Sequence, residues 1–127
     1  MSSVVKTNTM FTDMECLIKA IEANGTKVTS CSEKSIVTDR MDYLGAEKFV
    51  LEGGRYVFVH DSTADLTGNR YPWNRDSLKN WKNVGAWLAD VNQSYNKEYE
   101  LKLERLAEEE RRREEERLRK LVENRRD

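Results

Sequence analysis

The chain is poor in the residues that staple, ligate or break a fold. Among its 127 residues are one proline, one histidine, two cysteines and six glycines. Two cysteines, Cys16 and Cys31, do not make a disulfide scaffold. Cys16 falls beside the apolar face of an expected helix, which suits a buried free thiol. One histidine and no CxxC pair leave no set of zinc ligands, so neither a metal nor a cofactor is expected. No apolar run approaches the ~20 residues that span a bilayer, and the N-terminal MSSVVKTNTMF lacks the apolar centre of a signal peptide. The expected location is therefore a cytoplasm, of a cell or of a virus-infected cell.

An excess of either charge is also missing. The chain holds 22 bases and 23 acids. Residues 100–127 carry ten of each, which leaves 12 and 13 for the remainder. Affinity for a polyanion through counterion release needs a basic excess, so neither a nucleic-acid polymer nor an anionic membrane is an expected partner. A catalytic constellation is lacking too. His60, Asp61 and Ser62 are the residue types of a hydrolytic triad, but adjacent strand side chains point apart and do not converge on one atom. Asp61 and Asp65 lack the alternating oxygen ligands of a calcium loop. No enzymatic activity is expected from these residues.

What the chain has is a long helix. From about Asn83 to Asn124 it contains no proline, and its only glycine is Gly85. Val84, Trp87, Leu88, Val91 and Tyr95 fall on one helical face, which should pack on a head, with Asn80 or Asn83 as N-cap. Tyr99, Leu103 and Leu106 continue an apolar line, but the repeated spacing of four slips out of a heptad, so a long regular coiled coil is not expected. From Glu108 to Arg117 no apolar side chain occurs. Glu108, Glu109, Glu115 and Glu116 each precede a base by four residues, worth roughly 0.2–0.5 kcal/mol per pair. Such a segment stays helical with little burial, and Leu118, Leu121 and Val122 follow it as an apolar group suited to a partner chain.

The rest reads as an α+β head. Val4–Met10 is an expected strand. Thr12 and Glu15 form a capping box before a helix over Asp13–Asn24, whose Met14, Leu17, Ile18 and Ile21 share a face, and Gly25 ends it. Thr26–Cys31 and Ser35–Asp39 are short β pieces, and Met41–Ala46 is a connection. Lys48–Leu51 and Arg55–His60 flank Gly53-Gly54 as a hairpin. The expected architecture is a small antiparallel sheet packed on one face by a short helix, with a long C-terminal helix extending from the head. Residues 1–80 form the head. In the helix, residues 81–106 pack on the head or on a neighbouring subunit, and residues 107–127 are solvated.

Two surfaces are candidates for function. One is self-association through Trp81, Trp87, Tyr95 and Tyr99, extended along the helix by Leu103, Leu106, Leu118 and Leu121; tryptophan and tyrosine are favoured in interface cores. The other is the segment Asp61–Asn80, long for an idle connection. There Arg70 and Arg75 stand among Tyr71 and Trp73. Guanidinium forks suit phosphate or carboxylate and aromatic faces suit a base, so these four residues, with Arg55 and His60 on the preceding strand, are candidates for a small nucleotide-like anion.

One resemblance accompanies this pattern. Its residues are Lys6-Thr7, Asp13, Leu17, Ala20 and Asn24-Gly25, then Tyr43, Gly45, Tyr56, Asp61, Ala64-Asp65 and Trp73, and finally Trp87-Leu88 through Val91-Asn92-Gln93-Ser94-Tyr95. Over residues 4–95 the chain resembles the hypothetical chloroplast reading frame thirty-five family, small proteins with bacterial and phage-encoded relatives. The family's helix is usually followed by more sheet-like sequence, where this chain continues into the charged helix. The resemblance implies a compact α+β module that works through partners and supplies no catalytic residues. The leading expectation is a non-enzymatic interaction module that forms homo-oligomers and presents a charged helix to a partner. The alternative is a phage-type protein that sequesters a nucleotide-like anion.

Overall fold

The computed structural model describes residues 4–42, 44–61 and 82–124. In chain order it has β1 (Val4–Asn8), α1 (Met14–Ala23), β2 (Val28–Ser32), β3 (Ser35–Asp42), β4 (Gly45–Glu52), β5 (Arg55–Asp61) and α2 (Val84–Asn124). The strands form one antiparallel sheet in the order β1-β5-β4-β3-β2. The protein is α+β: among the described residues, a five-stranded open sheet with one short helix and one long one.

Local sequence accounts for the joints. Gly53 and Gly54 both take positive φ (60° and 81°), the two-residue hairpin geometry that side chains resist. Asp13 is the N-cap of α1, one residue later than the Thr12 expected from the capping box. Its Oδ1 accepts from the Cys16 N–H at 2.9 Å, because aspartate in extended backbone offers the same capping oxygen. Asn83 caps α2 by accepting from the Ala86 N–H at 2.8 Å. The expected connection Met41–Ala46 is shorter than the spacing suggested, since β3 runs on to Asp42 and β4 starts at Gly45.

One row of the sheet carries the core. Ile36 pairs with Phe49, and Phe49 with Phe58. All three are completely buried. Leu17, Ala20 and Ile21 of α1 pack on this row together with Val84, Trp87, Val91 and Tyr95 of α2. Burying such a side chain contributes about 1.5–3 kcal/mol, so the first turns of α2 are part of the head and not an accessory to it.

The two helices are clamped at both ends of α1. At its start, the Tyr95 hydroxyl accepts from the Thr12 and Asp13 N–H groups at 3.0 and 3.1 Å. At its end, Asn24 Nδ2 donates to the Ala20 carbonyl at 2.8 Å and to Ser94 Oγ at 3.1 Å. Trp87 Nε1 donates to Thr26 Oγ1 at 2.9 Å. These bonds set α1 and α2 antiparallel and fix where α2 leaves the head.

Candidate functional site

Two places deserve a chemical description: the polar end of the buried sheet face, and the stalk of α2.

Alternation along β3 puts Ile36, Thr38, Arg40 and Asp42 on the buried side, and along β4 it adds Glu47 and Phe49. The face is thus apolar at one end and charged at the other. Arg40 Nε donates to Glu47 Oε1 at 2.5 Å, with both side chains buried. The Arg40 guanidinium also lies over the Trp87 ring, 4.7 Å from its centroid, a cation–π arrangement. Burial pushes the Glu47 carboxyl above its ordinary value, and the Asp42 carboxylate adds to the shift, while Arg40 opposes both. Asp42 accepts from the Asp61 N–H at 2.8 Å and from the Leu44 N–H at 2.9 Å, which ties the ends of β3 and β5 together. Among the described residues, no group of three or more His, Cys, Asp or Glu is arranged to hold a metal ion. The sequence pattern hides this cluster, because the strand expected over Lys48–Leu51 begins after Glu47 and the one expected over Ser35–Asp39 ends before Arg40. Extending the period of two through Asp42 finds it.

Of the candidates for the anion site, Arg55 and His60 are among the described residues. His60 is buried and engaged: Nδ1 lies 2.9 Å from the Asp61 carbonyl and Nε2 lies 2.7 Å from Thr7 Oγ1. A carbonyl only accepts, so Nδ1 carries a proton. The ring also stacks on Phe58 at 5.3 Å. Both ring nitrogens of His60 are thus engaged within the sheet. Arg55 is exposed beside the hairpin turn, at the opposite end of β5. Arg70, Tyr71, Trp73 and Arg75 lie outside the described residues, as do Ser62, Asp65 and Trp81.

The stalk is built differently. α2 has 41 residues, so it is about 60 Å long. Trp87 and Tyr95, expected on the helix face that packs on the head and also named for an interface between subunits, lie inside the chain's own core, 3% and 5% exposed. Trp87 packs against both Phe49 and Phe58, and Tyr95 lies 4.7 Å from Phe11. Their face of the helix is the one turned to the head. Tyr99 stacks on Tyr95 at 5.8 Å and is already 36% exposed. Lys102 forms an ion pair with Asp13 at the N-terminus of α1. Burial tends to raise the Asp13 carboxyl, but the Lys102 ammonium and the Cys16 N–H together hold it below its ordinary value.

Beyond that latch the helix is solvated. Leu103, Leu106, Leu118 and Leu121 are each about half exposed, and nothing among the described residues covers them. The segment between them is held by its own ion pairs. Glu108–Arg112 closes at 3.5 Å with the expected spacing of four. Closer contacts form at a spacing of three: Glu108–Arg111, Glu114–Arg117 and Glu116–Arg119. Residues three apart are neighbours on a helix as much as residues four apart, and the long arginine side chains choose between them. Among the described residues no helix is long and apolar enough to cross a membrane. Comparison with family models, with curated proteins and with solved structures finds no match.

Proposed function

We propose that the protein is a non-enzymatic interaction module whose working surface is the α2 stalk. One observation carries this: the helix that completes the core of the head continues well past it, with half-exposed leucines at both ends of a charged segment. A helix needed only to complete and latch the head would lose nothing by stopping after Arg105. The leucines add hydrophobic contact area, and the ion pairs within the helix keep it formed while it waits for a partner. The likeness to the reading frame family over residues 4–95 fits a module that acts through partners.

A native mass spectrum of the full-length protein, as purified, tests this directly. The expected result is a complex, and replacing Leu106 and Leu121 by serine removes the added mass. A bare monomer for the unaltered chain contradicts it. The same spectrum tests capture of a nucleotide-like anion by Arg70, Tyr71, Trp73 and Arg75. That function requires an extra few hundred daltons per site, lost on Arg70→Ala and Arg75→Ala.

A further inference from the structure

We infer that the partner of the stalk is the stalk of a second copy, laid antiparallel in one defined register. This rests on the stalk being the working surface and adds what it binds and how. The charges of the stalk come in blocks: Glu108–Glu110 acidic, Arg111–Arg113 basic, Glu114–Glu116 acidic, and then Arg117, Arg119 and Lys120 basic. On one face Leu106, Glu110, Arg117 and Leu121 recur, with Arg113 and Glu114 flanking its midpoint. A two-fold axis between Arg113 and Glu114 sets the charges of this face against their opposites. Arg113 faces Glu114 and Glu110 faces Arg117, each pair occurring twice, while Arg111, Arg112, Glu115 and Glu116 turn away from the seam. Leu106 then lies opposite Leu121 at both ends, and Leu103 and Leu118 sit diagonally within reach. Asn124, the last residue of α2, falls opposite Leu103, so the partner helix covers the free length and stops at the rim of the head.

Other arrangements fail on charge or on closure. Slipping the antiparallel pair by three residues, about 4.5 Å, puts Leu106 opposite Leu118 but sets Glu110 against Glu114. A parallel pair in register places each block beside its own kind. A parallel pair staggered by three matches the charges but is head-to-tail, and leaves unpaired ends that propagate. Exposed ion pairs add little affinity, so the leucines hold the pair together and the blocks choose its direction and register.

Block exchange in the full chain tests this by sedimentation velocity, with circular dichroism confirming that each variant keeps its helix. Replacing Arg113 and Arg117 by glutamate turns their facing pairs repulsive and weakens the dimer by at least about tenfold. Replacing Glu110 and Glu114 by arginine does the same. Both exchanges in one chain restore the dimer to near its original strength, because each facing pair is again opposite in sign. Register is read separately in a Cys31→Ser background with a short bifunctional thiol reagent. Arg113→Cys cross-links to its own copy, and Leu106→Cys does not. A dimer that the combined exchange fails to rescue, or one in which Leu106→Cys cross-links to itself, overturns the antiparallel register and leaves the stalk as a docking surface. A chain that stays monomeric in sedimentation overturns self-pairing. If the native mass spectrum then shows a different chain bound through Leu106 and Leu121, the module proposal stands; if it shows a bare monomer, both fall.

Discussion

Tyr95→Phe separates the core role of this residue from an interface role. The substitution keeps the ring and its contact with Phe11, and removes only the hydroxyl that accepts from the Thr12 and Asp13 N–H groups. Each bond contributes about 0.5–1.5 kcal/mol net, and donors left without an acceptor near the core cost more than the bond itself returned. The expected loss is about 1–3 kcal/mol. With a urea m-value of about 2 kcal/mol/M, the unfolding midpoint falls by roughly 0.5–1.5 M and the slope is unchanged. Self-association, measured under native conditions, should not change, since the hydroxyl faces α1 of its own chain. An unchanged midpoint would refute the clamp between α1 and α2. An unchanged midpoint with weakened self-association would return Tyr95 to the interface between subunits.

Three further outcomes follow from the same geometry. Leu106→Ser with Leu121→Ser removes self-association and leaves the unfolding free energy of the monomer within about 0.5 kcal/mol, because both side chains are half exposed; chemical denaturation at low protein concentration checks this. Arg40→Met leaves the Glu47 carboxylate buried without its countercharge and costs about 3–5 kcal/mol near neutral pH. Glu47 has a raised folded value, so its contribution to stability is complete below its ordinary 4.5 and is lost as pH rises through the folded value. Denaturation at about pH 5 should therefore show a smaller deficit for Arg40→Met than at about pH 8. Asp13 has the opposite sign. Its folded value lies below the ordinary 3.8, so it stabilises the fold above that pH and the contribution is lost as pH falls through the folded value. Asp13→Asn, which keeps a capping oxygen, should flatten the acid limb of the stability curve.

The parts of this fold that sequence revealed are those set by local chemistry. The period of Met14, Leu17, Ile18 and Ile21, the Gly53-Gly54 turn and the proline-free run after Asn83 each act within a few residues, and each appears in the structure. The buried charge cluster was hidden because Arg40 and Glu47 look solvent-facing until their strands are extended and Trp87 is laid over them. The division of α2 was also invisible. Trp87, Tyr95, Tyr99 and Leu103 are all apolar and all at helical spacing, yet only the first two are buried. The boundary is set by the width of the head and by the Lys102–Asp13 latch, neither of which has a sequence signature of its own. The arginine–aromatic segment lies outside the described residues, so the anion-site proposal still rests on its composition.

The account depends most on the stalk of α2 being a surface that binds another copy of itself. Sedimentation velocity of the full chain over a wide concentration range, beside the Leu106→Ser and Leu121→Ser double variant, tests that most directly. The account predicts a reversible dimer for the unaltered chain and a monomer for the variant, with the same unfolding free energy of the monomer in both. A chain that is monomeric throughout, or a variant that dimerises as well as its parent, would contradict it.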